Sequence, residues 1–197
     1  MPDPSQQNRQ TGKAASARQG ILTAAARKMR RNGYADMALR DLATEVGMKA
    51  GSLYYHFPSK DALATEVMRL GVEKVQLAVR EALEVQPTAP PRERLVAAMR
   101  VHLETLLSAS DFSSAHIRCY PFVPDAVRDE LTELRRSYDK DWTDLIGAYL
   151  GDPPDDTQTR HLRLALLGAL NWSLEWFDPN RDSVDKYMAS LERLLPE

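Results

Sequence analysis

The 197-residue sequence predicts an all-α protein of about nine helices: an N-terminal three-helix helix-turn-helix unit followed by a larger helical body. Three observations predict it. Apolar residues recur at helical spacing along most of the chain, and no strand-like alternation is sustained. Gly and Pro punctuate those stretches, at Gly33, Gly47, Pro58, Pro87, Pro90, Pro91, Pro121, Pro124, Gly151, Pro153, Pro154 and Pro179. Charge is also divided. Residues 1–60 hold ten basic and four acidic residues, a net of +6, and residues 61–197 hold sixteen and twenty-four, a net of −8. A basic head therefore sits on an acidic body, a division that suits a head for phosphates and a body that avoids them.

The elements follow in order. Met1 to Ala15 is polar and has no apolar core of the signal-peptide kind, so 1–15 reads as a disordered tail whose Arg9 and Lys13, with Arg18 beyond it, can brush a polyanion. Ser16 to Asn32 is the first helix, closed by Gly33. In the second, Leu39, Leu42, Ala43 and Val46 fall at i, i+3, i+4 and i+7, with Arg40, Asp41, Thr44 and Glu45 on the solvent side. Gly47 ends it where a positive φ costs least. The third helix has an apolar edge of Leu53 and Phe57. Its other side carries Ala50, Gly51, Ser52, Tyr54, Tyr55 and His56. Pro58 stops that helix, and Ser59 caps the next with Asp61 in its first turn.

Residues 37–63 are thus a short amphipathic helix, a Gly-bearing turn and a second short helix, a pattern that sets its second helix into a DNA major groove. Small residues near the helix start let the backbone approach base edges, and hydroxyls and imidazole bond phosphates or bases. The competing reading is a plain three-helix bundle with its aromatics in the core. Phe57 fits that reading, but adjacent Tyr54 and Tyr55 cannot both face inward.

The strings Ile21-Leu22, Ala24-Ala25-Ala26, Gly33-Tyr34, Leu39-Arg40-Asp41-Leu42-Ala43, Val46-Gly47, Gly51-Ser52-Leu53-Tyr54-Tyr55-His56-Phe57 and Ser59-Lys60, in order and without gaps, resemble the DNA-binding domain of TetR-type transcriptional repressors. The resemblance covers about residues 16 to 65. It implies that Gly51, Ser52, Tyr54 and His56 face DNA with Lys60 on a phosphate; Arg40, Lys49, Ala50 and Tyr55 complete the candidate surface. Met37 and Ala38 stand where the family often has Thr and Ser, and Lys49 where it often has Ser. Helix caps are lost at both places, and Lys49 adds a positive charge at the groove.

Lys60 to Glu84 is one long helix whose apolar stripe shifts from Leu63, Val67 and Leu70 to Val72, Val75, Val79 and Ala82, so its halves face different neighbours. Helices are expected at Arg92–Ser108, Asp111–Cys119, Asp125–Leu150, Thr157–Phe177 and Asp182–Leu195, with Tyr120 to Pro124 a rigid bend. The resulting units are 16–62 as DNA-binding head and 63–197 as effector-binding and dimerisation body. Apolar residues wrap almost the whole 162–177 helix, which demands burial on all sides. Leu162, Leu166, Ala169 and Leu170, with Tyr187, Leu191 and Leu194 of the last helix, are the candidate seam. Paired with a second copy they form a four-helix bundle, the arrangement TetR-like dimers use.

Polar and aromatic residues an inert core does not require are spread through the body. Met99, His102, Leu103, Arg118, Tyr120, Trp142, Asn171, Trp172 and Trp176 are the candidate effector site, an apolar cavity with a few polar anchors. His116 and Cys119 belong to the same set, and each residue taken alone also has a plain structural reading. The string Leu167 to Pro179 resembles the corresponding helix of TetR-type regulators of fatty-acid and steroid-ring catabolism, some of which sense acyl-CoA thioesters. That implies a hydrophobic or CoA-linked effector.

The expectation is a homodimeric, ligand-responsive repressor in the cytoplasm, with a double-stranded operator, a small-molecule effector and no membrane among its partners. No apolar run approaches the ~18–20 residues of a membrane span. The lone cysteine, Cys119, excludes an intrachain disulfide. Histidines 56, 102, 116 and 161 lack metal-ligand spacing, and no phosphate loop or nucleophile elbow occurs, so no metal, cofactor or catalysis is expected. A ligand-independent DNA organiser remains the alternative; long footprints unaffected by metabolites distinguish it.

Overall fold

The computed structural model describes residues 4–108, 111–151 and 156–196, with side chains from residue 12 onward. Among these it has nine α-helices and one 3-10 turn: α1 Pro4–Asn32, α2 Leu39–Glu45, α3 Ala50–His56, α4 Lys60–Val85, α5 Pro91–Leu107, α6 Asp111–Cys119, the turn Tyr120–Phe122, α7 Asp125–Leu150, α8 Asp156–Trp176 and α9 Val184–Glu192. The expected boundaries agree to within a few residues except at the N-terminus. There α1 starts at Pro4, so residues 4–15 continue the first helix where the sequence reads as an irregular tail; residues 1–3 lie outside the described residues. A polar composition does not separate a helix from a coil.

The head is built around buried Ile21, Leu22, Met29, Met37, Leu42, Leu53 and Phe57. Gly47, at φ 67°, makes the turn between α2 and α3. Neither Ala38 nor Lys49 gives its helix a side-chain cap, as the departures from the family pattern imply. Ser59 does cap α4, accepting from the Ala62 amide at 3.0 Å, a contact worth about 1 kcal/mol. Tyr34 donates to Asp61 and so ties the end of α1 to the start of α4. Met37 is fully buried in the head core.

No break separates head from body, because α4 serves both cores. Its first half places Leu63, Ala64, Val67 and Met68 in the head core, which continues through Ala115, Cys119, Val127 and Leu131 of α6 and α7. Its second half places Val75 and Val79 in a separate core with Leu95, Met99, Leu103, Trp142, Ile146, Leu166, Leu170, Met188 and Leu191. The shift of stripe along α4 is this change of partner. Where the two cores meet, Gly71 permits the closest approach of α4 to α6. A Cβ there would lie 2.5 Å from the Phe112 carbonyl oxygen.

Helix α8 divides its apolar residues between two faces. Leu166, Leu170 and Ser173 are buried within the subunit, whereas Leu164, Trp172 and Trp176 are exposed, Trp172 by 66%. Ala165 and Gly168 lie on the same open face. Among the described residues no helix is long and apolar enough to cross a membrane, and no His, Cys, Asp and Glu cluster has the makings of a metal site.

Candidate DNA-binding head and ligand cavity

Helix α3 presents two unlike sides. Leu53 and Phe57 anchor it in the head core, and Tyr54 and Tyr55 are 46% and 86% exposed. Gly51 and Ser52 are exposed on its first turn, Ala50 and His56 are half-buried, and Lys49 and Arg40 stand in solvent. Tyr55 packs edge-on against His56, with ring centroids 5.6 Å apart. An open cleft on one flank is lined by Lys13, Met48, Gly51, Ser52, Tyr55 and His56, and one on the other by Ala38, Arg40, Tyr54, Ser59 and Lys60. All nine expected DNA-facing residues therefore lie on or beside one exposed helix.

Two basic residues are already engaged. Lys60 donates to the Ala35 carbonyl at 2.7 Å and sits 4.2 Å from the Tyr34 ring centroid, which fixes its ammonium beside α3. Arg18 pairs with Glu66 at 2.8 Å and lies over Phe57, 4.9 Å from the ring centroid. It braces α1 against α4 and is not a free arm. Hydrogen bonds from Arg69, opposed by desolvation and aided by Arg18, hold the Glu66 carboxyl down near 2. Burial, helped by Asp61, pushes the Tyr34 hydroxyl up to about 12. The residues that position α3 are thus locked by charge pairs and packing on its inner side, while the outer side is left free.

In the body, a cavity of about 250 Å³ lies between α4, α5, α6, α7 and α8. Val72, Val75, Leu106, Ile117 and Leu167 supply apolar wall; His102, His116, Tyr120, Arg135, Tyr138 and Asn171 supply the polar groups. His102 Nδ1 is 2.7 Å from the Tyr138 hydroxyl and Nε2 is 3.0 Å from Asn171 Oδ1. Asn171 Oδ1 only accepts, so the His102 proton is on Nε2 and Tyr138 donates to Nδ1. Burial drives His102 down to about 4 and raises the Tyr138 hydroxyl, so both are neutral near pH 7. On the other wall Arg135 Nη1 donates to His116 Nε2 at 2.8 Å, and its guanidinium stacks 3.8 Å from the Tyr120 ring centroid. Burial first, and then the Arg135 charge, lower His116 to about 3.

Of the expected effector residues, His102, Tyr120 and Asn171 line this cavity. Met99, Leu103 and Trp142 do not; they are fully buried in the body core behind His102, whose ring meets Trp142 edge-on. Arg118 turns the other way. It pairs with Glu175 at 2.8 Å and donates to the carbonyls of Leu174 and Arg30, tying α6 to α8 and to α1. Trp172 and Trp176 stand on the open face of α8, Trp176 edge-on to Tyr187. The residues of the expected seam divide in the same way. Leu166, Leu170 and Leu191 are buried inside the subunit, Leu162, Ala169 and Tyr187 are half-buried, and only Leu194 is largely exposed, at 73%. Helical periodicity shows that α8 is apolar on two sides; it does not show which side the subunit itself covers. Arg135, His116 and Tyr138 line the cavity without being among the effector residues the sequence points to. In the sequence His116 belongs only to the wider polar set, and Arg135 reads as surface charge beside Arg136.

Both parts match known families. The model described as bacterial regulatory proteins, tetR family, matches residues 21–67, and that described as tetracyclin repressor-like, C-terminal domain, matches residues 88–190. The HTH-type transcriptional repressor KstR2 of Mycobacterium tuberculosis is 34% identical over 88 residues, covering 45% of this chain and 43% of KstR2. The HTH-type transcriptional regulator LmrA of Bacillus subtilis is 36% identical over 69 residues, covering 34% of this chain and 37% of LmrA. The chain therefore spans less than half the length of these curated relatives in the matched region. In fold it is similar to AibR, solved in complex with isovaleryl coenzyme A and operator DNA, with a TM-score of 0.79 at 22% identity over 91% of this chain and 97% of that one. With its head and more than half its length matched by these two models, the chain belongs to the TetR family of transcription regulators.

Proposed function

We propose that the protein is a homodimeric transcriptional repressor in the cytoplasm, binding a palindromic operator through α3 and released from it by a small hydrophobic or CoA-linked effector. The observation that carries the DNA reading is the outer side of α3: small residues first, then two exposed tyrosines, on a helix fixed from behind by Leu53 and Phe57. Arg40, Lys49 and Lys60 flank it as phosphate contacts. Residues 16–62 act as the head and 63–197 as the body.

Dimerisation is supported by the open face of α8, where Leu164, Ala165, Gly168, Trp172 and Trp176 form an apolar stripe that a second copy covers. Effector binding is supported by the cavity, whose apolar walls carry a few fixed polar groups. Likeness of the Leu167–Pro179 string to regulators of lipid and steroid-ring breakdown favours a hydrophobic ligand. An occupant acts on the head through α4 and α6. It releases DNA only by preferring the state whose two recognition helices are wrongly spaced.

Fluorescence anisotropy with the DNA upstream of the protein's own gene tests the reading. A salt-sensitive complex is expected that loses affinity in the Gly51→Leu, Tyr54→Ala double variant; unchanged affinity rejects it.

A further inference from the structure

We infer that the cavity recognises a free carboxylate: its ligand is an organic acid with a compact apolar body, the carboxylate seated on Arg135. The inference rests on the reading of this cavity as the effector site and adds the chemical class of the ligand. Among the described residues Arg135 has no carboxylate partner; it meets only the His116 ring nitrogen and the Tyr120 ring. Asp139, one turn along α7 and also on the cavity wall, is paired with Arg163 at 3.1 Å instead. The guanidinium is thus a fixed, permanent cation at the cavity with most of its five donors unused.

His116 strengthens the case. It is only 7% exposed, and because its Nε2 accepts from Arg135 its proton is on Nδ1, which has no partner. A buried donor left unmet is unfavourable, and the acceptor nearest on this wall, Asp139, is already committed to Arg163, so the Arg135 and His116 donors go unmatched. The opposite wall is different: both ring nitrogens of His102 are partnered, by Tyr138 and Asn171. It carries no charge, since His102 and Tyr138 are both neutral. A molecule that suits the space is therefore anionic at one end and apolar at the other.

Size narrows the class. At about 250 Å³ the cavity lies just below the roughly 300–1,000 Å³ of a typical ligand pocket. That accommodates a small aromatic or branched acid, and excludes the nucleotide half of a coenzyme A thioester from the cavity. A thioester also presents a neutral carbonyl where Arg135 offers a charged fork.

Calorimetric titration of the full-length protein tests this with benzoate, phenylacetate and 3-methylbutanoate, their primary amides, and 3-methylbutanoyl-CoA. At least one acid is expected to bind once per chain, with its amide about tenfold or more weaker. Arg135→Gln should cost the acid a similar factor, Arg135→Lys should restore part of it, and Ile117→Trp should block binding by filling the cavity. An amide or thioester that binds as tightly as its acid, or acid binding indifferent to Arg135→Gln but abolished by Ile117→Trp, overturns the carboxylate and leaves the cavity as effector site. Binding unaffected by Ile117→Trp, or by none of the panel, overturns both. Should Arg135→Gln fail to fold by circular dichroism, the acid–amide comparison on the wild-type protein decides.

Discussion

The Ser113 hydroxyl donates a 3.0 Å hydrogen bond to the Gly71 carbonyl, joining α6 to α4 where the two helices come closest. The contact lies between the cavity and the head. On one side of α6, Ser113, His116 and Ile117 line the cavity. On the other, Cys119 Sγ donates to the Met29 carbonyl at 3.3 Å, and Asp111 pairs with Arg30 at 2.8 Å. Any shift of α6 is therefore felt by α1 and α4 together.

Replacing Gly71 by Ala should break this joint. The added methyl meets backbone, the Phe112 carbonyl oxygen at 2.5 Å, which no rotamer change relieves. Overpacking of this kind costs about 1–3 kcal/mol. Ser113→Ala removes only the hydrogen bond, about 0.5–1.5 kcal/mol. Urea denaturation should rank the two in that order.

Lys60 should contribute to DNA binding mainly through charge. Its contacts to Ala35 and Tyr34 are partly exposed, so Lys60→Ala is expected to change folding stability by less than about 1 kcal/mol. Operator affinity should fall by a similar factor for every sequence, and the salt slope by about one. A lower melting temperature with an unchanged salt slope would assign Lys60 to the fold alone.

The head was legible because each of its signals has a local cause. Leu53 and Phe57 against Tyr54 and Tyr55 sort by helical angle alone, and Ser59 announces a cap within three residues of its target. The cavity depends on which helices meet, and that information is not local. Met99, Leu103 and Trp142 have the composition of a ligand wall but sit one layer behind it. Arg135 has the composition of surface charge but is turned inward over Tyr120. For α8, two apolar faces were apparent and their assignment was not, because choosing between Leu166 and Trp172 requires knowing where α5 and α7 lie.

That assignment yields a paired prediction. Trp172→Glu places a carboxylate on the open face, so the chain should stay folded and lose its dimer. Leu166→Glu places one in the subunit core, 4% exposed, where an unpaired charge should unfold the chain. Light scattering with circular dichroism separates the outcomes. A folded Leu166→Glu monomer together with a dimeric Trp172→Glu would reverse the two faces.

The two buried histidines set the acid side of stability. Burial holds His102 near 4 and His116 near 3, against about 6.5 for an unfolded imidazole. Between those values the unfolded chain binds more protons than the folded one, so stability is fully present above pH 6.5 and falls as the pH drops. Each histidine contributes a slope of at most about 1.4 kcal/mol per pH unit. Glu66, held near 2, follows the same sign, but its contribution starts to be lost only below about pH 5.3, as the unfolded glutamate takes its proton around 4.3. The window from pH 6.5 to about 5.3 therefore isolates the imidazoles. Urea denaturation across it should show a steep loss in the wild type and about half that slope in His116→Asn, where one of the two proton sites is gone. The same slope in both proteins would mean that His116 titrates in the folded state as it does in the unfolded chain. Burial, with the Arg135 cation beside the ring adding to it, disfavours protonation of the folded imidazole and argues against that result.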